Sequence, residues 1–306
     1  MTQKESSTAP RKRQGFVATM GNWLHMVRFS HTLFALPFAL VGFTMAWADG
    51  TENIWWELLF MVLCMVFARS AAMGFNRIVD RDIDALNART AQREIPAGKI
   101  SLRDAWIMVI ACSALFVVSA GMLNTLVLAL SPIALAVVFL YSYLKRYTWL
   151  CHFGIGIALS LAPIGAYLGA RGVFNIYPIV LGIGVMLWVA GFDIIYSLQD
   201  IEFDRQHRLH SIPAHFGLSP AIRIASAASL LSVVPIGIGT VRYAPSPLGI
   251  ASIGLFFGAI VVQLLSVKKD DLSNINGSFM LRNGVASLLY SLVAVLAIVA
   301  RSHVAA

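Results

Sequence analysis

Apolar runs of about 20 residues recur along the whole chain, divided by short polar segments. A helix of that length crosses a hydrocarbon core of about 30 Å. The pattern predicts about nine transmembrane helices, over 22–48, 54–80, 103–122, 124–143, 148–170, 176–200, 219–241, 247–267 and 279–300. Pro37, Pro132, Pro163 and Pro235 fall inside these runs. Membrane helices tolerate proline where neighbours satisfy the freed backbone groups. The pattern implies an all-α polytopic membrane protein: one transmembrane domain over 22–306, behind a disordered basic tail over 1–21.

Composition agrees: 58% of the 306 residues are hydrophobic and 12% are charged, against about 25% charged in soluble domains. The net charge of +8 does not suggest nucleic acid, because the basic residues lie between the apolar runs. With the N-terminus in the cytoplasm, 19 of the 23 Lys and Arg fall on inner segments. Arg171, Arg242 and Arg301 then lie outside and Arg69 within the second helix. This bias predicts a cytoplasmic N-terminus and an outer C-terminus. Cys64, Cys112 and Cys151 are far apart and embedded in apolar runs, so they read as small hydrophobes rather than metal ligands or disulfides.

Against this background the acids are unevenly placed. The second helix ends in Asn76-x-x-x-Asp80-x-x-x-Asp84, and the sixth in Asp193-x-x-Tyr196-x-x-x-Asp200-x-x-x-Asp204. Residues four apart share a helix face, about 6 Å apart along the axis. Each segment is therefore expected to project a column of oxygens, both at the cytoplasmic end; Asp82 falls off the column as a solvated or paired charge. Mg²⁺ is held by a few carboxylates together with substrate phosphates, so two facing columns suit a metal–diphosphate complex. Cations stand on the same side: Arg77, Arg89, Arg93, Lys145, Arg146 and Arg208. The loops over 81–102 and 201–218 mix charge, Pro and Gly with apolar residues, which predicts ordered lids. Asp193 lies one to two turns inside the membrane edge, where a charge costs enough to mark a functional position.

These motifs resemble the UbiA superfamily of intramembrane aromatic prenyltransferases, which carries N-x-x-x-D-x-x-x-D after its second helix and D-x-x-x-D after its sixth, on nine helices. The likeness runs from about 22 to 300. Its lid motif reappears as Arg89, Thr90, Arg93, Pro96 and Gly98, although Glu94 stands where many members have Pro. Tyr141, Lys145, Arg146 and Thr148, and the segment "HSIPAHFG" (210–217), match further family stretches. Asp193 and Tyr196 match the 4-hydroxybenzoate branch. The resemblance implies Mg²⁺-dependent transfer of a polyprenyl group from its diphosphate to a hydroxylated aromatic carboxylate, in quinone biosynthesis at the inner membrane. The acceptor is 4-hydroxybenzoate or, alternatively, 1,4-dihydroxy-6-naphthoate of a menaquinone route.

The implied roles are metal binding for Asn76, Asp80, Asp84, Asp200 and Asp204; diphosphate binding for Arg77, Arg89, Arg93, Lys145 and Arg146; and catalysis for Asp193 and Tyr196. Arg28 is a candidate for the acceptor's carboxylate, or a topology charge. His31 reads as a packing residue, as do Phe34, Phe38, Phe75 and Phe192, which alternatively flank the cation or tail. Arg69 is expected to pair with an acid or snorkel. No nucleic acid and no obligate protein partner is implied beyond the bilayer. A cation or organic-anion transporter is the reading from another class; the gathering of acids at one end rather than at the midplane weighs against it.

Overall fold

The computed structural model describes residues 21, 35–51, 53–267 and 278–305; among them the regular elements are all helices, with no strand. The first helix described, α1, is Leu36–Ala48, with Pro37 in its first turn. It is followed by α2 (Ile54–Val79), the short α3 (Arg81–Leu86), α4 (Leu102–Gly121), α5 (Thr125–Leu144) and α6 (Cys151–Arg171). Next come α7 (Ile176–Ser197), a 3₁₀ turn over Leu198–Asp200, α8 (Ile201–Gln206) and α9 (Ile212–Phe216). The chain ends with α10 (Leu218–Leu231), α11 (Val233–Tyr243), α12 (Pro247–Leu265) and α13 (Ser278–Ala305). Eight helical stretches are long and apolar enough to span a membrane, α10 and α11 together forming one of them, and α1 is a shorter apolar helix. The predicted residues Arg28, His31 and Phe34, and the tail over 1–20, lie outside the described residues.

Helix starts follow local chemistry. Ser101, Asn124, Asn175 and Ser246 each accept a hydrogen bond from a first-turn N–H of α4, α5, α7 and α12. The predicted run 219–241 is divided at Ser232, three residues before Pro235, which has no N–H to give the preceding turn. Pro132 and Pro163 sit inside α5 and α6.

The bundle is organised around α7, which packs against α6, α10 and α11, while α1 packs on α6 and α13. In the other half α2 packs against α4 and α5. The deepest core joins α1, α7, α12 and α13 through Phe38, Trp188, Phe256 and Tyr290. Phe38 lies 5.3 Å from Trp188 and 5.4 Å from Tyr290, centroid to centroid. Phe38 is thus core filling. Phe192 packs on Trp188 and Phe75 stacks on Phe139, which fits the packing reading for both.

Two close approaches depend on glycine. A Cβ on Gly42 would meet the Pro163 carbonyl, binding α1 to α6, and one on Gly156 would lie 2.5 Å from the Met186 carbonyl oxygen, binding α6 to α7. The second contact joins the second turn of α6 to the middle of α7, and one turn nearer the acids His152 of α6 meets Asp193 of α7. At the other end Asp49 accepts from Tyr167 (2.7 Å) and Tyr243 (2.6 Å), tying α1, α6 and α11 together.

Candidate active site

The two acidic segments do not run along unbroken helices. The α2 backbone leaves helical geometry at Asp80 (φ −89°, ψ 2°) and resumes as α3; α7 ends at Ser197 and passes through the 3₁₀ turn ending at Asp200 before α8 begins. The turn-by-turn spacing survives the breaks, since Asp84 N–H still donates to the Asp80 carbonyl at 2.7 Å. The single straight column expected of each segment is therefore corrected to a helix end followed by a short second helix. The break aims Asp84 and Asp204 inward, and both are buried.

Each of the four carboxylates has its own cation. Asp80 pairs with Arg146 (3.4 Å), Asp84 with Arg93 (2.7 Å), Asp200 with Arg89, and Asp204 with Lys145 (2.8 Å). Arg93 Nη1 donates to both Asp84 oxygens. Arg89 grips Asp200 two-pronged, Nε to Oδ1 and Nη2 to Oδ2, while its Nη1 donates to the Tyr196 hydroxyl at 3.0 Å. Asn87 adds a hydrogen bond to Asp200 at 3.1 Å. Asn76 Nδ2 donates to Asp80 at 2.9 Å. The Arg89–Asp200 pair crosses from the lid after α3 to the end of α7, and so joins the two motifs.

The lids are ordered, as expected. In the first, Thr90 donates to the Asp84 carbonyl, and Lys99 and Ile100 N–H close onto the carbonyl of the buried Glu94. In the second, Arg208 takes a left-handed φ of 54°, turning the chain so that His210 N–H donates to the Lys145 carbonyl at 2.7 Å. Ser211 then caps α9 and donates to Asp204 at 2.9 Å.

Burial and charge oppose each other at this mouth. Burial, then the Asp84 charge, push the Asp80 carboxyl above its ordinary range, and Arg146 and Lys145 offset only part of this. Burial alone would loosen the Lys145 proton, but Asp204 outweighs it and holds the ammonium more firmly than usual. Arg89 is likewise held charged by Asp200 against the effect of burial.

Arg77 differs from the other four expected cations: it is 6% exposed, within the bundle and in electrostatic reach of Tyr141. Arg69 is half-buried and in electrostatic reach of Tyr141; of the two expectations for it, an acid partner or snorkelling, no acid pairs with it among the described residues. Asp82 pairs with Arg81 at the surface, 3.3 Å away. The three cysteines are half-buried and free.

One residue escaped the sequence reading. His152, 2% exposed in the first turn of α6, places Nδ1 2.7 Å from Asp193 Oδ2. A single His in an apolar run carries no distinctive signal; only its position four residues before Gly156 hints at a close helix contact.

The described residues thus form an all-helical membrane bundle in which two carboxylate–cation motifs meet at one end. Comparison with known proteins sharpens that class. The model of the UbiA prenyltransferase family matches residues 35–299, and the chain belongs to that family. It is a multi-pass membrane protein. A UbiA homologue from Aeropyrum pernix K1, solved in its apo form, is 34% identical with a TM-score of 0.73, covering 87% of this chain and 97% of that one. A homologue from Archaeoglobus fulgidus bound to DMAPP and Mg²⁺ shares the fold at 21% identity and a TM-score of 0.71, over 91% of this chain and 99% of that one. Among curated relatives, a 4-hydroxybenzoate octaprenyltransferase of Aliivibrio fischeri is 33% identical over 56% of this chain and 59% of its own length. One from Pseudomonas aeruginosa is 32% identical over 60% and 62%. The chain thus spans about three fifths of the length of these curated relatives.

Proposed function

We propose that the protein transfers a polyprenyl group from a polyprenyl diphosphate to the ring of a hydroxylated aromatic carboxylate, 4-hydroxybenzoate first among them, with Mg²⁺ as cofactor. The observation that carries the proposal is the one-to-one pairing of Asp80, Asp84, Asp200 and Asp204 with Arg146, Arg93, Arg89 and Lys145 at one end of the bundle. Such a site is closed and neutral by itself, and it holds both ligands for a metal and donors for a diphosphate. The names of the curated relatives support the choice of acceptor. The positive-inside bias supports a site at the cytoplasmic face of the inner membrane, in a single domain over 22–306.

The donor set fits Mg²⁺. It is all oxygen, and among the described residues no three His, Cys, Asp or Glu side chains converge to hold an ion unaided. Mg²⁺ keeps waters and completes its octahedron with substrate phosphate oxygens, so one or two carboxylates per ion suffice. Asp80, Asp84, Asp200, Asp204 and Asn76 would hold it. When bound it supplies Lewis-acid neutralisation of the leaving diphosphate.

The chain's own groups do the rest. Arg89, Arg93, Lys145 and Arg146 move from carboxylate to phosphate oxygens, where they make charge-assisted hydrogen bonds. Arg77 adds positive potential from below. The allylic C–O bond breaks with its electron pair leaving on the diphosphate. The ring carbon beside the hydroxyl forms the new C–C bond, and its proton passes to the Asp193 carboxylate. Tyr196 orients the acceptor, and the two lids keep water from the allylic cation. Arg28, outside the described residues, is assigned to the acceptor's carboxylate.

The test is turnover by detergent-purified protein with Mg²⁺, a prenyl diphosphate, and 4-hydroxybenzoate competing with 1,4-dihydroxy-6-naphthoate. Mass spectrometry should show prenylated 4-hydroxybenzoate. A prenylated naphthoate alone would move the enzyme to the menaquinone route, and no product with any acceptor, alongside Mg²⁺ flux in liposomes, would mark a transporter.

A further inference from the structure

The mechanism above leaves His152 without a task, yet it is the most thoroughly buried imidazole among the described residues and touches both the acid and the lid. Its Nδ1 lies 2.7 Å from Asp193 Oδ2. Its Nε2 accepts from the Ile212 N–H at 3.3 Å. An imidazole nitrogen that accepts carries no proton, so the ring is the Nδ1–H tautomer and donates to Asp193. Ile212 opens α9, and the residue before it, Ser211, donates to Asp204. The turn His210–Ile212 is therefore seated at three points: the Lys145 carbonyl, Asp204 directly, and Asp193 through His152. Asp193 keeps 27% of its side chain exposed, and its other oxygen has no hydrogen-bond partner among the described residues. One oxygen is thus tied back by His152 while the other stays available.

We propose that His152 is a positioning residue: it holds the Asp193 carboxylate in one orientation and links that orientation to the seating of the second lid. The role given to Asp193 rests on the prenyl-transfer reading; the bridge itself rests on geometry alone. When the lid turn lifts, Nε2 loses its donor. The ring then keeps its bond to Asp193 but loses its second anchor, so the carboxylate is held less firmly when the site is open. Coupling of this kind holds a proton acceptor most firmly while water is excluded.

Two amide substitutions separate the arms of the bridge. His152→Asn presents an N–H near the Nδ1 position but is too short to reach Ile212. His152→Gln presents an oxygen near the Nε2 position but does not reach Asp193. We expect His152→Gln to lower kcat roughly 30-fold, the equivalent of about 2 kcal/mol for a lost hydrogen bond to a charged group, with KM for the prenyl diphosphate unchanged. His152→Asn should keep kcat within about threefold. Hydrogen exchange at the Ile212 amide, which needs no turnover, should stay slow in His152→Gln and quicken in His152→Asn. Equal kcat in the two variants, or a loss that only follows a lowered Tm, overturns the positioning role. Equal Ile212 exchange in wild type and both variants overturns the bridge. The expected exchange pattern in a protein that prenylates no acceptor upholds the bridge and sinks the prenyl-transfer reading instead.

Discussion

Removing a cation from the site should make Mg²⁺ bind more tightly, and Arg89 is the place to see it. In the closed site Arg89 gives two hydrogen bonds to Asp200 and one to Tyr196, and its guanidinium lies 5.3 Å from the Tyr196 ring centroid. For a metal to reach Asp200, that grip must first open. Breaking a buried pair by removing one partner costs about 3–5 kcal/mol. Arg89 is 27% exposed and Asn87 still donates to Asp200, so solvent and the amide reduce this to about 1–3 kcal/mol for Arg89→Met. If Mg²⁺ takes Asp200 as proposed, the wild-type protein must give up the same amount on binding it. The variant should therefore be less stable without metal by about 1–3 kcal/mol, and should bind Mg²⁺ about 5–150-fold more tightly in the absence of substrate. Its kcat/KM should nevertheless fall, because the proposed mechanism uses Arg89 as a phosphate donor. The assay is thermal unfolding in detergent across a Mg²⁺ titration, with Arg89→Lys as a charge-retaining control expected between the two. If the Mg²⁺ midpoint is unchanged in Arg89→Met, or moves to higher concentration, the exchange of partners is wrong.

Asp80→Asn and Asp200→Asn should each abolish detectable prenyl transfer while far-ultraviolet circular dichroism stays that of the wild type; full activity in either one removes that carboxylate from the site. Lys145→Met strands Asp204, which has no exposed side-chain surface, and should cost about 2–4 kcal/mol, whereas Arg146→Met at the looser 3.4 Å pair should cost about 1 kcal/mol or less. Comparing the two Tm values without Mg²⁺ decides this. Gly156→Val brings side-chain carbon against the Met186 carbonyl and should destabilise by about 1–3 kcal/mol while lowering kcat through displacement of His152. Gly165→Ala, where nothing lies within 4 Å of a new Cβ, should raise Tm or leave it unchanged.

Much of the architecture was legible because a bilayer allows so few solutions. Long apolar runs must be helices, and acids at run ends are costly enough to stand out. The spacing of Asn76, Asp80 and Asp84, and of Asp200 and Asp204, was readable for that reason. The helix breaks at Asp80 and Asp200 were not: "NRIVDRDID" contains neither Pro nor Gly to announce one. Nor could the sequence say which cation meets which acid, since Arg89 and Asp200 stand 111 residues apart, on segments that follow α2 and α7, two helices each packed against α6. Arg77 shows the limit of adjacency. It follows Asn76 directly, yet one residue is 100° of turn, and the structure buries it in the bundle while Asn76 bonds Asp80.

The four pairs are graded, and the gradation gives the site a direction. Asp80 is 27% exposed and its cation stands 3.4 Å away, so it yields to an incoming metal at least cost. Asp84 and Asp200 are nearly covered and held by two-pronged or doubled contacts from the first lid. Asp204 is sealed between Lys145 and Ser211, so it can change partners only if the turn carrying Ser211 shifts. That turn is also the one that reaches His152 and, through it, Asp193. A ligand that assembles from Asp80 towards Asp204 therefore meets the second lid last. Asp193, which the proposed mechanism makes the acceptor of the ring proton, is joined to that final step rather than to the first. Exposure and distance set this order: Asp80, the most exposed of the four acids, holds its cation at the longest distance, and an ion pair strengthens as the surrounding dielectric and the separation fall.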